Sequence, residues 1–433
     1  MKNCEKGDDM PEKESWTWIN SGVAAPQGFW ATGVQAGVKY PDKYDVAVLV
    51  SEVPAQVAGV FTRNLVKAHP VLLCQQRLVN GQAQAVVMNS GNANACVGPA
   101  GDEAAMTMAA KTAECLGLDS DNVLVASTGV IGVEMPVAVI LKGIEAAVAE
   151  IDGLRSELGS LSNGQVALDE ARKFGAAHKA ALAIMTTDLA EKEFACELPC
   201  QGGNIRLGAI AKGSGMIHPN MGTMLGFLTT DAVVPAEKLQ TLLAGATDES
   251  FNMVTVDGDT STNDSVIFLA NGASGITPEG EDWEKFAAMV KAVCVRLAQA
   301  IARDGEGATK FLEVQVSGAA TTEDARKIAK SVCGSSLVKT AIFGEDPNWG
   351  RILAAMGYAG ANFDPSTAGI SLGDIVVARE GRGVEFPYAA AKQVLAQKDI
   401  VIKIRLSGGE AQATAWGCDL SYDYVKINGS YTT

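Results

Sequence analysis

Short apolar runs alternate with longer segments of helical periodicity along most of the chain. Apolar runs bounded by polar or glycine-rich turns predict buried strands at residues 45–51, 57–62, 85–88 and 122–126. Apolar residues at helical spacing predict helices over residues 102–116, 136–151, 165–184, 235–246 and 280–303. The closely spaced glycines of 22–39 predict two short strands joined by turns. Such alternation is typical of α/β layers.

The last third of the chain continues this alternation. Its pattern predicts a strand at 311–316, a helix at 322–333, a strand at 337–342, a short helix after residue 351 and further strands to the end. A length of 433 residues indicates two or three domains. The sequence has no visible repeat or flexible linker, so we expect these domains to pack together.

Composition narrows the class of protein. With 47% hydrophobic and 20% charged residues, the chain can bury a large core, which argues against global disorder. A formal net charge of −15 argues against sequence-independent binding of nucleic acid and against anchoring on anionic lipid. Nine scattered cysteines and an N-terminus without an apolar segment predict a reduced, cytoplasmic protein.

The usual metal and nucleotide motifs are absent. Residues 257–264 resemble the start of a calcium loop, but Thr262 and Phe268 stand where that loop needs glycine and glutamate. Residues 305–310 lack the Gly-Lys-Ser/Thr end of a phosphate-binding loop. We therefore predict no metal. Only three histidines, His69, His178 and His218, could serve a serine-type mechanism, so a nucleophile with a different base is favoured.

The central stretch offers such a nucleophile. It reads Lys212-Gly-Ser-Gly-Met-Ile-His-Pro-Asn-Met-Gly-Thr-Met-Leu225 and leads from a glycine-rich loop into an apolar strand. Cleavage between Gly222 and Thr223 would free an α-amine, of pKa about 7.7–8.0, beside the threonine hydroxyl. The neutral amine can take the hydroxyl proton during attack on a carbonyl group. The alternative is an ordinary glycine loop that enters a strand and is not cleaved.

Three further positions could support acyl transfer. The turn at Thr128 and Gly129 follows a predicted strand and offers a hydroxyl and backbone N–H groups to an oxyanion. Lys212 lies among small and apolar residues, and Glu306 lies between two glycines. The alternatives are an ordinary strand-to-loop turn, a solvent-facing lysine and an acid at a helix end.

Many motifs, in order, resemble the glutamate N-acetyltransferase/ornithine acetyltransferase family of arginine biosynthesis. Besides the central stretch they occupy 22–39, 88–94, 127–132, 185–188, 257–264, 304–310, 346–352 and 426–433. The resemblance covers essentially the whole chain from about residue 20. It implies an αββα layered sandwich shared with DmpA-type aminopeptidases, of N-terminal-nucleophile type, with a smaller C-terminal α/β domain at about 311–433. Self-cleavage would divide the protein into chains 1–222 and 223–433 and give an α₂β₂ assembly.

The same resemblance implies roles for individual residues. Thr223 would be the nucleophile, and Thr128 and Gly129 would form the oxyanion hole. Substrate would contact Thr223 together with Thr187, Lys212, Glu306, Asn428 and Thr433. The implied reaction is a ping-pong transfer of acetyl from N-acetylornithine to glutamate through acetyl-Thr223, without a cofactor. Some members also use acetyl-CoA as a donor, and the sequence does not distinguish the two types.

Two positions depart from the family pattern, and two other functions stay open. Gly222 stands where alanine is usual, and His218 stands where a small residue is expected. Cleavage should survive at Gly222, and His218 has no assigned catalytic role. The alternatives are a self-cleaving amidopeptidase of the same fold, which would release acyl groups to water, and a non-catalytic amino-acid-binding protein.

Overall fold

The computed structural model describes residues 14–158, 166–218 and 224–430. Within these ranges the strands are β1 (Thr17–Ile19), β2 (Phe29–Val34), β3 (Val46–Phe61), β4 (Gln82–Asn89), β5 (Val123–Ser127), β6 (Lys192–Cys200), β7 (Gly203–Lys212), β8 (Leu225–Thr230), β9 (Val254–Thr255), β10 (Ser265–Ala270), β11 (Phe311–Ala319), β12 (Gly369–Leu372), β13 (Ile375–Arg379), β14 (Arg382–Gly383), β15 (Asp399–Arg405) and β16 (Ala411–Cys418). The helices are α1 (His69–Arg77), α2 (Pro99–Leu116), α3 (Val137–Leu158), α4 (Val166–Ala183), α5 (Ala236–Asp248), α6 (Gly280–Arg303), α7 (Thr322–Gly334), α8 (Ser336–Phe343), α9 (Trp349–Gly357), α10 (Tyr388–Leu395) and α11 (Tyr422–Ser430).

Nine strands form the first sheet, in the order β1-β6-β7-β8-β10-β3-β4-β5, with β2 also paired to β3. β7 and β8 are antiparallel, with Lys212 opposite Leu225. β8 is parallel to β10, which is antiparallel to β3. Two strands that follow the central stretch, β8 and β10, therefore lie between strands that precede it.

The core of this sheet is arranged in layers. One apolar cluster joins side chains of β4 and β5, such as Met88 and Leu124, to side chains of β7 and β8, such as Ile210 and Phe227. Helices α2 and α3 cover the opposite face of β3, β4 and β5. Helices α5 and α6 pack against the other side of β6, β7 and β8. Burial of both faces accounts for the strongly apolar strands. The predicted αββα sandwich is confirmed.

The second sheet has the order β14-β13-β12-β15-β11-β16-β9. Six of its strands come from residues 311–418, and the short β9 comes from Val254–Thr255 and pairs with β16. Apolar residues of α7, among them Ile328 and Val332, share a core cluster with Val314 and Ile402 of this sheet. The proposed division into chains 1–222 and 223–433 stays a prediction.

Two local predictions need correction. Residues 46–51 and 57–61 are strand as predicted, but they belong to one continuous strand, β3, which pairs with β2 up to Ser51 and with β10 from Gln56. A register shift against β4 accommodates Pro54 between the two halves. Residues 337–342, predicted as a strand, lie in helix α8, where the Ser335 hydroxyl accepts from the Val338 N–H and caps the helix.

Two broader expectations also need correction. Residues 22–39 contain one strand, β2, rather than two. The end of the chain is not made of strands alone, because α10 and α11 lie between and after them. The second helix, α11, carries the predicted site residue Asn428.

Candidate active site

A cavity of about 110 Å³ lies at the ends of β5 and β7. Six residues that the sequence singled out border it, although they are spread over 300 positions: Thr128, Gly129, Thr187, Lys212, Glu306 and Asn428. Gly222, Thr223 and Thr433 lie outside the described residues. Met224, which follows Thr223 in the chain, also borders the cavity. The structure thus brings together every predicted site residue that it describes.

The turn at Thr128 and Gly129 is held by its neighbour in the sheet. β4 and β5 are parallel, with Asn89 beside Ser127, so their polar ends meet at one edge. The Thr128 N–H donates to the Asn89 carbonyl oxygen at 3.0 Å. Gly129 has φ +136°, and a Cβ there would lie 2.4 Å from the carbonyl carbon of Gly91. Only glycine fits this close approach of two backbones.

Lys212 is the last residue of β7, and its side chain is buried. The Nζ atom lies 2.8 Å from the Thr186 hydroxyl, 3.4 Å from the Thr128 hydroxyl and 3.8 Å from Asp188 Oδ2. Burial by itself would raise the pKa of Asp188, but the charges of Lys212 and of Lys192 outweigh it and hold that pKa well below its usual range. Asp188 is therefore ionised at neutral pH and fixes the ammonium group at the cavity wall.

A buried chain of charges continues behind Asp188. The Lys192 ammonium donates to Asp188 Oδ1 at 2.8 Å and to Asp304 Oδ2 at 2.6 Å, and its side chain is 1% exposed. The backbone N–H of Gly213 also donates to Asp188 Oδ1, at 2.6 Å. Two cations alternate with two carboxylates, so the low-dielectric interior holds no uncompensated charge.

Glu306 faces the cavity from the loop after α6. Its backbone N–H donates to the Ser214 carbonyl oxygen, and the Ser214 hydroxyl donates to the Asp304 carbonyl oxygen. The Asn428 amide donates to Glu306 Oε2 at 2.7 Å. A Cβ at Gly215 would lie 2.3 Å from the Glu306 carboxyl, so the glycine leaves room for that carboxylate. Glu306 and Lys212 thus place opposite charges on one small cavity.

The three histidines do not line this cavity. His69 pairs with Asp102 at 2.7 Å, and His178 pairs with Glu193 at 2.5 Å. Burial, aided by the charge of Lys330, lowers the pKa of His218 to about 4, so its imidazole is uncharged at neutral pH. Its Nδ1 lies 3.0 Å from the Thr255 hydroxyl. The geometry gives His218 a structural position within the central stretch.

The arrangement suits a small zwitterionic substrate that carries a carbonyl group. Glu306 can hold an ammonium group, Lys212 can hold a carboxylate, and the turn at Gly129 can donate a backbone N–H to an oxyanion. Comparison with known proteins decides the family: the ArgJ family model matches residues 30–433. The chain belongs to the ArgJ family. This confirms the resemblance that the sequence motifs carry.

Relatives in the ArgJ family are similar over nearly the whole chain. The arginine biosynthesis bifunctional protein ArgJ of Symbiobacterium thermophilum is 53% identical over 421 residues, which are 96% of this chain and 100% of that one. The protein of the same name from Thermosynechococcus vestitus is 46% identical over 437 residues, 96% of this chain and 99% of that one.

Two solved structures are also similar in sequence. The crystal structure of ArgJ from Bacillus halodurans shares 46% identity, with a TM-score of 0.47, over 48% of this chain and 100% of the solved one. The ornithine acetyltransferase from Mycobacterium tuberculosis, complexed with ornithine, shares 36% identity, with a TM-score of 0.39, over 48% of this chain and 99% of the solved one.

The sequence left several members of this ArgJ-family site unassigned. Thr186 rather than Thr187 contacts the Lys212 ammonium, and Asp188 stands in the motif 185–188 without an assigned role. Lys192 and Asp304 anchor the site from behind, and Asp264 borders the cavity. Asp188 and Asp304 belong to the motifs 185–188 and 304–310. Lys192 lies in no motif, and the sequence pattern does not distinguish it from any other lysine in a strand.

A larger groove elsewhere carries none of the predicted residues. It has a volume of about 1140 Å³ and runs along the second sheet beside α6, bordered by both polar and apolar side chains such as Gln315, Arg405 and Trp416. The described residues contain no cluster of His, Cys, Asp or Glu that could hold a metal ion. Among the helices of the described ranges, none has both the length and the apolar character that a membrane crossing requires.

Proposed function

We propose that this ArgJ-family protein transfers acetyl from N-acetylornithine to glutamate in arginine biosynthesis. One observation carries the proposal: Thr128, Gly129, Thr187, Lys212, Glu306 and Asn428 border one cavity that Met224 also borders. The name of the relatives, arginine biosynthesis bifunctional protein, supports the pathway.

The reaction begins after self-cleavage between Gly222 and Thr223. The free α-amine of Thr223 takes the hydroxyl proton while Oγ attacks the acetyl carbonyl carbon of N-acetylornithine. The Thr128 hydroxyl and the Gly129 N–H stabilise the oxyanion. Ornithine leaves with the proton from the α-ammonium. The amine of glutamate then attacks acetyl-Thr223 by the reverse steps and leaves as N-acetylglutamate.

The charges of the cavity fit N-acetylornithine. Each substrate carries a carboxylate for the Lys212 ammonium. Ornithine also has a second amine, which the Glu306 carboxylate can hold. The Asn428 amide orients the Glu306 carboxylate by a hydrogen bond. Thr187 also borders the cavity. Thr433 completes this proposed set of substrate contacts.

Peptide mapping tests the mechanism directly. Incubation with N-acetylornithine should place an acetyl group on the peptide that begins at Thr223, and added glutamate should remove it. Thr223→Ala should abolish both cleavage and transfer. An intact 45.0 kDa chain with full activity would overturn the N-terminal-threonine mechanism. Steady ornithine release without glutamate would instead indicate an amidase.

The proposal extends to assembly and to the second donor. The two fragments would form an α₂β₂ enzyme in the cytoplasm, without a metal or bound cofactor. Native mass spectrometry measures the α₂β₂ assembly. Assays with glutamate and acetyl-CoA test acetyl-CoA as a donor, because formation of N-acetylglutamate without N-acetylornithine would make the enzyme bifunctional.

A further inference from the structure

The groove along the second sheet has no part in the proposed reaction, and its floor is one face of that sheet. Side chains of a strand alternate between the two faces of a sheet. On β11 and β15, Val314 and Ile402 are fully buried in the core cluster that includes α7, whereas Gln315 and Lys403 border the groove. The floor is therefore the face that α7 leaves open.

The groove lies where the second sheet meets the layered sandwich. Lys291 and Val295 of α6 border it, and so do Arg326 of α7 and Arg379 at the end of β13. Junctions of this kind are common places for small-molecule sites, whose volumes are roughly 300–1,000 Å³. The groove, with about 1140 Å³, has room for a ligand larger than an amino acid.

The charge of the groove is opposite to the charge of the chain. The chain has 50 acidic and 35 basic side chains. Among the residues that border the groove, however, the acidic side chains of Glu249 and Glu380 are outnumbered by basic ones: Lys291, Arg326, Arg379, Lys403 and Arg405. A recess with an excess of one charge focuses the electric field and attracts ligands of the opposite charge.

The arginines of the groove are not neutralised by neighbouring carboxylates. Both lysines form ion pairs, Lys291 with Glu249 and Lys403 with Asp374. Within the ranges that the structure describes, the three arginines have no such partner. A guanidinium group stays charged at physiological pH and binds phosphate oxygens through a fork of N–H donors. Three of these groups are thus available to an anion from outside the chain.

A glycine keeps the floor open beside one of the arginines. Gly369 of β12 is paired with Arg405 of β15. A Cβ at Gly369 would lie 4.0 Å from the Arg405 Cβ, so a side chain there would stand beside that of Arg405. Gly369 does not have a positive φ, and its backbone conformation therefore does not require glycine. The missing side chain leaves space in the groove.

We propose that this groove binds a small organic polyanion that carries several phosphate groups. Arg405 holds phosphate oxygens from the floor, and Arg326 and Arg379 hold them from the elements around it, by charge-assisted hydrogen bonds. The polar side chains of Gln315 and Ser371 on the floor bind the rest of the ligand. The groove shares no residue with the catalytic cavity, so this inference does not depend on the proposed function.

The test measures binding of inorganic triphosphate to the full-length protein by isothermal titration calorimetry. Arg405→Gln should weaken binding about tenfold or more, as for loss of a hydrogen bond to a charged group. Gly369→Leu should also weaken binding, because its side chain occupies the floor without a change of charge. The matched control is Arg63→Gln, which removes an exposed arginine that does not border the groove and should bind triphosphate like the wild type.

Three results would overturn the proposal. The first is a wild-type protein that does not bind triphosphate. The second is equal weakening in Arg63→Gln and Arg405→Gln, because binding would then follow net charge rather than the groove. The third is dissociation of a native assembly by Arg405→Gln or Gly369→Leu, with no binding of triphosphate by the wild type, which would make the groove an interface between copies of the chain. Acetyl transfer is not the readout, so none of these results bears on the proposed function.

Discussion

Lys192 shows how a residue without contact to substrate can shape the site. It is a lysine with almost no solvent exposure, and it lies between the carboxylates of Asp188 and Asp304. Asp188 in turn faces Lys212, and Asp304 precedes the loop of Glu306 by two residues. The two charges that would bind an amino acid are thus connected through one buried lysine.

Replacement of Lys192 should destabilise the fold strongly. Lys192→Met leaves Asp304 without its cation and should lower the free energy of unfolding by about 3–5 kcal/mol, as for other broken buried ion pairs. Urea unfolding measures this loss. The control is Lys403→Met, because Lys403 forms an exposed ion pair with Asp374 and should matter by less than about 1 kcal/mol. Equal losses in the two variants would contradict the prediction.

Asp188 should make the protein sensitive to acid. Its pKa is depressed in the folded state, so its stabilising contribution is present above the unfolded pKa of about 3.9 and is lost as the pH falls through the folded value. The difference in unfolding free energy between wild type and Asp188→Asn should therefore be constant from about pH 5 to 8 and shrink below about pH 4. Denaturant titrations across this range measure it. A difference that persists in acid would assign the effect to packing.

At the scale of elements, α11 is placed by a glycine. A Cβ at Gly307 would lie 2.4 Å from the Tyr424 backbone nitrogen, so the absence of a side chain allows the helix to approach the loop of Glu306. The Ser421 hydroxyl donates to the Gly307 carbonyl oxygen at 2.5 Å at the same contact. This contact brings the side chain of Asn428 to the Glu306 carboxylate.

A methyl group at Gly307 should weaken substrate binding without preventing self-cleavage. Gly307→Ala displaces α11 and breaks the bond from Asn428 to Glu306, so KM for N-acetylornithine should rise about tenfold, as for loss of a hydrogen bond to a charged group. Steady-state kinetics and fragment analysis measure the two effects.

The matched control is Gly360→Ala. Gly360 has φ +68°, close to the +69° of Gly307, but no atom lies within 4 Å of its added Cβ. Both variants therefore carry the same backbone strain, and only one moves α11. An equal rise of KM in the control would show that strain, rather than the position of the helix, causes the effect.

At the scale of the whole molecule, the first sheet ties the proposed fragments together. β8 and β10 of the second fragment pair with β7 and β3 of the first. The cut protein should therefore migrate as one particle in native conditions and as two chains in denaturant. Native and denaturing mass spectrometry measure this, with the uncut Thr223→Ala protein as the control. Separation of the fragments in native buffer would contradict the strand order.

The sequence predicted the layers and the family better than it predicted local boundaries. Apolar runs identified most strands, but β3 continues through Pro54 because it changes partners there, and partners are not visible in a periodic pattern. α8 was predicted as a strand because its apolar run is short and fits either a strand or a helix. The Ser335 cap favours the helix. The motifs located the residues of the cavity, while Lys192 emerged only from burial and contacts. The roles of all the predicted site residues stay predictions, and Gly222, Thr223 and Thr433 lie outside the described residues.

The interleaved strands make refolding different before and after the proposed cut. Before the proposed cut, the chain folds as one connected polymer, and β8 finds its place between neighbours to which it is tethered. Afterwards the tether is gone, and a molecule that unfolds must recover its partner by collision, at a rate that depends on concentration. In dilute solution such a molecule does not return to its native state. Its working life is then set by the rate of its first unfolding rather than by an equilibrium, and a new enzyme requires new synthesis of the single uncut chain.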